Sequence, residues 1–319
     1  MAKVVVTGKI PSGALTRLRA EHDVLAWEES TPISREELLK RVSGADAIVS
    51  LLTEKIDDEL LAAAGTQLKS VSNVAVGYNN IDVPACKVRS VLVTNTPGVL
   101  TEATADIAMS LILMTTRRLA EGERVIRAQQ PWQWGMFYML GSSIQGRQLG
   151  IVGMGQIGAA VARRARAFGM TIAYTKRTPL DAATHKELDA KHVELDELLA
   201  TSDVVSLHCP YSPETHHFMN ATQLAKMKSS AYLINTARGP VVDEAALADA
   251  LQRNVIAGAG LDVFEKEPVV HEGLLGLDNA VLIPHLGSAT VETRAAMADL
   301  AATNALAILG GKTAPNLVG

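Results

Sequence analysis

Residues Leu149–Gly158, "LGIVGMGQIG", decide the fold of this chain. An apolar run leads into Gly153, Gly155 and Gly158 in the spacing G-x-G-x-x-G, and an Ala- and Arg-rich helical pattern follows at once. This order is typical of a dinucleotide-binding unit, in which the glycines permit a tight turn, close approach of the backbone to a pyrophosphate, and packing of helix on strand. The first N–H groups of the helix then face the phosphates. We expect these contacts from Met154, Gly155, Gln156, Ile157 and Gly158; the plainer alternative is a glycine-rich turn in an ordinary βα unit.

Outside this unit, short apolar runs alternate with helical patterns along the whole chain. Several of the runs are continuously apolar, which is typical of strands covered by helices on both faces. We therefore predict an α/β protein with doubly wound parallel sheets. Nine or ten strands are predicted, from the runs "KVVVTG", "DAIVSLL", "LKSVSNVAVG", "VLVTNTP", "LGIVGMG", "MTIAYT", "DVVSLHCP", "AYLINTARG", "AGAGLDVF" and "AVLIPH".

The glycine-rich unit starts in the middle of the chain, so a separate domain is expected before it. Residues 99–129 show apolar spacing of three and four, which predicts one long helix crossing between the domains, and residues 129–148 read as a loop. A last amphipathic helix at 290–311 is expected to return to the first domain. We predict a nucleotide-binding Rossmann domain at 100–286, inserted into a domain formed by 1–99 and 287–319.

Composition and charge exclude several classes of function. The net charge is -4 and no basic run is longer than "RRAR", so a nucleic-acid partner is not expected. The two cysteines are too few for a disulfide framework or a four-thiolate metal site, which predicts no metal and a reducing compartment. The longest apolar stretch, "IAMSLILM", is too short for a bilayer, and the N-terminus lacks the pattern of a signal peptide. A cytoplasmic protein is expected.

The stretch "YTKRTP" at 174–179 bears on the choice of cofactor. An NAD site usually has an Asp or Glu about 20 residues after the glycines, where it holds the ribose 2′-hydroxyl. Here the chain has Thr175, Lys176, Arg177 and Thr178. The two cations and the hydroxyl of Thr178 suit a 2′-phosphate, so we predict that NADP(H) is preferred, with NAD(H) possible. The alternative is an ordinary solvated turn.

Three polar residues lie at the carboxyl ends of predicted strands, where ligands bind in open α/β sheets. They are Arg238 in "NTARGP", Glu267 in "DVFEKEP" and His285 in "IPHLGSAT". Arg binds a carboxylate or keto oxygen, and a His bonded to a carboxylate stays protonated to higher pH. Each has a plain alternative, as a helix cap, a loop acid or a strand-end histidine. Together they suit reduction of a 2-keto acid, which needs a hydride at carbon and a proton at oxygen.

The motifs together resemble the D-isomer-specific 2-hydroxyacid dehydrogenases, and within them the glyoxylate/hydroxypyruvate reductases. The similar stretches, in order, include "NVAVGYNNID", "NTPGVLTEATADIAMSLIL", "LHCPYSPETHHFMN", "LINTARGPVVDEAAL" and "PHLGSAT". The resemblance implies that Arg238 binds substrate, His285 is the general acid-base and Glu267 holds that His. It also implies a flavodoxin-like substrate-binding domain around the Rossmann domain, and a homodimer.

The resemblance implies further contacts. The backbone N–H groups of Val76 and Gly77 should bind the substrate carboxylate, Asp262 should orient the carboxamide, and Pro210 and Thr215 should border the adenosine. Trp134 matches a tryptophan that reaches the partner's active site, although the two tryptophans of "QQPWQWG" stand one residue closer than expected, and a plain dimer-interface aromatic is the alternative. The residues expected at the nicotinamide end are Thr104, Thr236, Ala237, Arg238, His285 and Gly287.

Three other functions share this pattern. A 2-ketogluconate-type sugar-acid reductase stays open because no residue fixes the pocket size. A nucleotide-sensing corepressor would usually carry a partner-binding extension, which is not expected here. A phosphoglycerate dehydrogenase would often carry a C-terminal regulatory domain and prefer NAD. A small 2-keto or 2-hydroxy acid is the expected substrate.

Overall fold

The computed structural model describes residues 1–318 and divides the chain into two compact units. The first consists of Met1–Leu100 with Ala289–Gly319, and the second of Thr101–Ser288. No helix within residues 1–318 is both long and apolar enough to cross a membrane.

The N-terminal segment of the first unit builds a sheet of parallel strands and four helices. The strands are β1 (Lys3–Val6), β2 (Asp23–Ala26), β3 (Ala47–Ser50), β4 (Ser70–Asn73) and β5 (Leu92–Thr94), and the helices are α1 (Ser12–Glu21), α2 (Arg35–Val42), α3 (Asp58–Ala64) and α4 (Val83–Val88). The strands pair in the order β2-β1-β3-β4-β5. This is the flavodoxin-like order, and it places the ends of β1, β3 and β4 side by side.

The second unit is larger and has seven parallel strands. They are β6 (Gln148–Val152), β7 (Thr171–Thr175), β8 (Ala190–His192), β9 (Val204–Leu207), β10 (Tyr232–Asn235), β11 (Gly258–Leu261) and β12 (Ala280–Leu282). Its helices are α5 (Thr101–Thr116), α6 (Leu119–Arg127), α7 (Gln156–Ala167), α8 (Ala182–Leu188), α9 (Leu195–Thr201), α10 (Ala221–Leu224), α11 (Glu244–Gln252) and α12 (Glu272–Leu275), with short 3₁₀ turns at Pro213–Thr215 and Gly239–Val241.

The strands of this unit pair in the order β12-β11-β10-β9-β6-β7-β8. Read from β6 as the first strand of the unit, this is the Rossmann order with one additional strand, and the order reverses between β6 and β9. Ligands of such sheets bind outside the carboxyl ends of the strands next to this reversal. The predicted fold class, two doubly wound parallel-sheet units, is therefore confirmed.

The chain finishes in the first unit with α13 (Val291–Leu309), which packs on α1, β3 and β4. The hydroxyl of Thr290 caps the helix by accepting from the Thr293 N–H at 3.0 Å. Its buried side consists mostly of alanines, which lets the helix lie close to the sheet. The buried residues are Met297, Ala298, Ala301, Ala302, Asn304, Ala305 and Ile308.

The prediction of nine or ten strands was too low, because the structure has twelve within residues 1–318. The two additional strands, β2 and β8, lie at sheet edges. β2 alternates between exposed and half-buried residues, and β8 is only three residues long with the sequence "AKH". Short, polar edge strands carry little of the apolar signal that identifies a covered strand.

The prediction of one long helix at 99–129 was also wrong, because α5 and α6 are separate. Arg118 between them is left-handed, with φ 54°. The Thr116 carbonyl accepts from the Ser142 N–H at 2.8 Å instead of continuing the helix. A Cβ at Gly141 would come within 2.5 Å of that same carbonyl oxygen. The break thus depends on a tertiary contact 25 residues along the chain, which helical spacing does not reveal.

Candidate active site

The glycine-rich turn between β6 and α7 has the backbone geometry that a dinucleotide requires. Gly153 has φ +93°, and a Cβ there would lie 2.5 Å from the Cys209 backbone nitrogen. A Cβ at Gly158 would lie 2.7 Å from the Gly153 carbonyl oxygen. Gly155 differs, because no described atom lies within 4 Å of its Cβ position. Protein packing therefore explains the first and third glycines, whereas the bare surface at the second fits a bound pyrophosphate.

The start of α7 adds donors to this surface. Gly155 is the N-cap residue and has no side chain to satisfy the free N–H groups of the first turn. Gln156 is exposed and Ile157 half-buried, whereas Met154 is buried in the core. The residues present fit a dinucleotide phosphate group at this helix end.

The end of β7 carries the predicted determinants of cofactor choice. Thr175 is the last residue of the strand, and its carbonyl accepts from the Gly153 N–H at 3.1 Å. Lys176, Arg177 and Thr178 follow and are exposed. A hydrogen bond with Ser212 and, to a smaller extent, the charge of Arg177 lower the pKa of the Glu214 carboxyl, so a carboxylate lies within electrostatic range of this turn.

The strand-end His and Glu form a direct pair. Nδ1 of His285 lies 2.7 Å from Oε2 of Glu267, and the other carboxylate oxygen accepts from the Phe264 N–H at 3.0 Å. Burial tends to raise the pKa of the Glu267 carboxyl, but these two hydrogen bonds hold it below its ordinary value. With Nδ1 directed at the carboxylate, Nε2 is the ring nitrogen left for a substrate.

Arg238 lies beside this pair. Burial lowers the pKa of its guanidinium and the charge of Glu267 opposes that shift, so the two charged groups lie within electrostatic range of each other. The loop that carries Arg238 is stabilised by a hydrogen bond of its own, in which Asn235 Nδ2 donates to the Arg238 carbonyl at 2.9 Å. A Cβ at Gly239 would lie 1.9 Å from the Phe264 carbonyl carbon and oxygen. The loop of Arg238 therefore packs backbone to backbone against the loop of Glu267.

The backbone of His285 is itself unusual, because its φ of 52° lies in the left-handed region that few residues with a Cβ adopt. Its N–H donates to the Asp262 carbonyl at 2.8 Å. The buried carboxylate of Asp262 accepts from the N–H groups of Leu286 and Gly287 at 2.5 and 2.8 Å. Burial raises the pKa of this carboxyl. Asp262 thus fixes the loop that carries His285, a role that sequence reasoning missed.

The other predicted cofactor contacts of the second unit belong either to the nicotinamide end or to the adenosine end. Thr104 donates to the Gly287 carbonyl at 3.1 Å, so these two nicotinamide-end residues meet next to Asp262. Thr236 is buried and Ala237 half-buried, both directly after β10. Thr215 accepts from the Ser212 N–H at 2.7 Å and donates to the Pro210 carbonyl at 2.9 Å, which closes the turn after β9.

The loop after β4 in the first unit presents a pair of backbone donors. The carbonyl of Val76 accepts from Asn95 Nδ2 at 2.8 Å, and that of Gly77 accepts from Asn73 Nδ2 at 2.9 Å. No acceptor within residues 1–318 meets the N–H groups of Val76 and Gly77. The carbonyls of Val76 and Gly77 are thus held by asparagine side chains, while their N–H groups are left to bind an anion such as a carboxylate.

Trp134 lies in the segment between α6 and β6 and is 74% exposed. Its neighbours in sequence are also large and exposed, among them Trp132, Met136, Phe137 and Leu140. An apolar surface of this kind typically marks an interaction site.

Comparisons with known proteins point to a single family. Residues 109–287 match the family described as "D-isomer specific 2-hydroxyacid dehydrogenase, NAD binding domain". The chain is 49% identical over 321 residues to a glyoxylate reductase of Thermococcus onnurineus (strain NA1), covering 99% of this chain and 95% of that protein.

Two solved structures are also similar over their full length. A glyoxylate reductase from Paecilomyes thermophila is 36% identical with a TM-score of 0.90, covering 99% of this chain and 98% of that one. An NADPH-dependent glyoxylate/hydroxypyruvate reductase from Sinorhizobium meliloti, in complex with NADP and malonate, is 38% identical with a TM-score of 0.87. The match covers 100% of this chain and 97% of that one.

Proposed function

The chain belongs to the D-isomer-specific 2-hydroxyacid dehydrogenase family of oxidoreductases, and we propose that it reduces small 2-keto acids with NADPH as the preferred cofactor. The leading reactions are glyoxylate to glycolate and hydroxypyruvate to D-glycerate. The observation that carries the proposal is the 2.7 Å contact of His285 with Glu267 beside Arg238. The proposed substrates are those named for the similar reductases.

The residues divide the chemistry among them. When bound, the reduced nicotinamide supplies the hydride that adds to the keto carbon. Arg238 grips and polarises the keto acid, His285 donates a proton from Nε2 to the carbonyl oxygen, and Glu267 holds the ring through Nδ1. For the first unit by itself, the free N–H groups of Val76 and Gly77 are the proposed donors to a carboxylate. The product is the 2-hydroxy acid, with one hydride and one proton gained.

The cofactor preference rests on the end of β7. Thr175 stands where an acid would hold a free ribose diol, and Arg177 offers a planar fork to a 2′-phosphate. Glu214 opposes the phosphate by its charge, so we expect a preference for NADPH rather than absolute selection. Asp262, Thr104 and Gly287 form the nicotinamide end.

We also propose a cytoplasmic homodimer that uses the exposed segment around Trp134. The large exposed apolar side chains between residues 132 and 140 support this assignment, because surfaces of that kind are usually covered by a partner. Whether Trp134 completes the partner's active site or only packs in the interface is decided by a Trp134→Ala variant. The first role lowers turnover in a dimer that persists, and the second weakens the dimer.

The test of function is the initial rate with glyoxylate and with hydroxypyruvate, followed through NADPH and, in parallel, NADH. Turnover with a strong NADPH preference is the expected result. A strong NADH preference would retain the reaction and overturn the assignment of the β7 turn. No turnover with either cofactor would favour a larger keto acid such as 2-ketogluconate, or a nucleotide-sensing protein that binds NADPH without reducing anything.

A further inference from the structure

A second His–Glu pair lies behind the candidate catalytic residues. Nε2 of His217 lies 3.2 Å from Oε2 of Glu265, two residues before Glu267. The other ring nitrogen faces the Asp243 carboxylate at 3.9 Å, and the ring stacks on His216 with centroids 4.0 Å apart. Nothing in the proposed chemistry uses this pair, although each partner stands on a segment that adjoins a catalytic loop.

The His217 end of the pair is tied to the loop of Arg238. The His217 N–H donates to the Pro240 carbonyl at 2.8 Å. Two residues on, the Met219 N–H donates to the Val241 carbonyl at 3.0 Å. His217 is left-handed, with φ 48°, so its conformation is sustained by these contacts rather than by local preference.

The Glu265 end is tied to the loop of Glu267 and to the start of α11. The Glu265 carboxylate accepts from the Glu244 N–H at 2.9 Å, and the Glu265 N–H donates to the Glu244 carboxylate at 2.6 Å. The other oxygen of the buried Glu244 accepts from the His271 N–H at 3.2 Å. The two glutamates thus close the loop from 265 to 271 by reciprocal hydrogen bonds.

We infer that His217 and Glu265 are positioning residues, which hold the loop of Arg238 against the loop of Glu267 and so set the catalytic geometry. Gly239 lies directly against the Phe264–Glu265 peptide, and the His217–Glu265 contact adds a second connection at the same junction. A shift of about 1 Å between the two loops would misalign Arg238 and Glu267 together, and catalysis is sensitive to such shifts.

This inference rests on the proposed function for its kinetic readout, so the test also includes a readout without turnover. The variants are His217→Ala and Glu265→Ala, with His216→Gln as the control, since His216 stacks on His217 but places its Nδ1 3.4 Å from the Tyr211 hydroxyl rather than against either loop. Glu265→Gln is the conservative variant, because its amide oxygen still accepts from Glu244 and its amide nitrogen still reaches His217.

For each variant we would measure kcat and KM for the keto acid, the Kd of NADPH and the melting temperature. His217→Ala and Glu265→Ala should each lower kcat/KM about tenfold or more. The double variant should be little worse than Glu265→Ala alone, because the His217–Glu265 contact is already lost in that single variant. The Kd of NADPH should change less than about twofold, since the glycine-rich turn is untouched. His216→Gln and Glu265→Gln should stay within about threefold of wild type.

The readout without turnover is the ¹⁵N spectrum of the histidine rings in the substrate-free protein, with His285 assigned from a His285→Gln spectrum. The His285 signals should change in His217→Ala and remain in His216→Gln. Unchanged signals and unchanged kcat/KM in His217→Ala would overturn the inference. If wild type turns over no keto acid while the His285 signals still respond, the proposed function fails and the positioning role stands. If Glu265→Ala does not fold, His217→Ala carries the same comparison.

Discussion

The N–H of His285 donates to the carbonyl of Asp262, whose own carboxylate fixes the next two residues of the same loop. One buried acid therefore sustains the left-handed conformation of the candidate acid-base residue. Asp262→Asn removes one acceptor, since an amide nitrogen does not accept from the Gly287 N–H. We expect kcat to fall about tenfold or more as the loop relaxes.

A matched control for this variant is Asp203→Asn. Asp203 also accepts from a backbone N–H, that of Gln148 at 2.9 Å, and binds Lys228 at 3.0 Å, but it lies at the amino end of β9. Its loss should lower the free energy of unfolding by about 1 to 3 kcal/mol without altering kcat. Equal effects of both variants on kcat would contradict the role given to Asp262.

His285→Ala removes the proposed proton donor. Turnover should fall about a hundredfold or more, because proton transfer in the transition state contributes this much in general acid-base catalysis. The Kd of NADPH, measured by quenching of protein fluorescence, should remain near the wild-type value. Turnover at the wild-type rate in this variant would exclude His285 as the donor.

Arg177→Ala tests the site proposed for the 2′-phosphate. Loss of a charge-assisted contact should raise the Kd of NADPH about tenfold to a hundredfold and leave that of NADH within about twofold. Arg163→Ala is the control, because Arg163 is another exposed arginine, paired with Glu187 on the outer side of α7. An equal rise in the Kd of NADPH and of NADH would show that Arg177 does not bind the 2′-phosphate.

Gly155→Ala tests whether this glycine is needed for cofactor binding rather than for packing within the protein. The added methyl meets no described atom, so the free energy of unfolding should fall by no more than about 1 kcal/mol, whereas the Kd of NADPH should rise at least about tenfold. Gly153→Ala is the contrasting variant. Its φ of +93° and its 2.5 Å approach to Cys209 should cost several kcal/mol of stability. Unaltered NADPH binding by Gly155→Ala would place the pyrophosphate elsewhere.

His208 predicts a pH dependence of stability. Burial between Ser206 and Thr236 lowers the pKa of its imidazole to about 4. Between pH 6.5 and 4, the unfolded chain binds a proton that the folded chain excludes, so stability falls as the pH is lowered through this window. The loss attributable to His208 is up to about 3 kcal/mol.

The measurement is urea unfolding of the cofactor-free protein at pH 7 and pH 4.5. His208→Gln should lose less stability than wild type on acidification, whereas His185→Gln, a variant of an exposed histidine, should follow wild type. Parallel pH curves for wild type and His208→Gln would show that the His208 ring is not the source.

Most of the fold could be predicted because strands covered by helices have continuous apolar runs and the cofactor-binding turn has a recognisable glycine spacing, and both are local features of the sequence. The errors came where tertiary contacts decide. The break between α5 and α6 depends on Gly141, and the edge strands β2 and β8 owe their pairing to a neighbour rather than to their own apolar content.

The candidate site likewise consists of residues that the sequence predicted and residues that it did not. Strand-end positions pointed to Arg238, Glu267 and His285, because parallel strands deliver their carboxyl ends to one edge. The groups that hold them, Asp262 and Gly239, act through backbone contacts across the chain. Glycine directly after the arginine in "TARGP" was the only local signal, since a residue without a side chain in that place allows a close approach.

The two-part construction of the first unit affects how the protein is made. On the ribosome, β3 and β4 emerge long before α13, the helix that packs on them, because the whole second unit is translated in between. At ordinary elongation rates this delay lasts roughly 10 to 40 seconds. During it, the face of β3 and β4 on which α13 packs lacks that helix. We therefore expect the second unit to mature first, and nascent chains halted before residue 291 to be bound by chaperones.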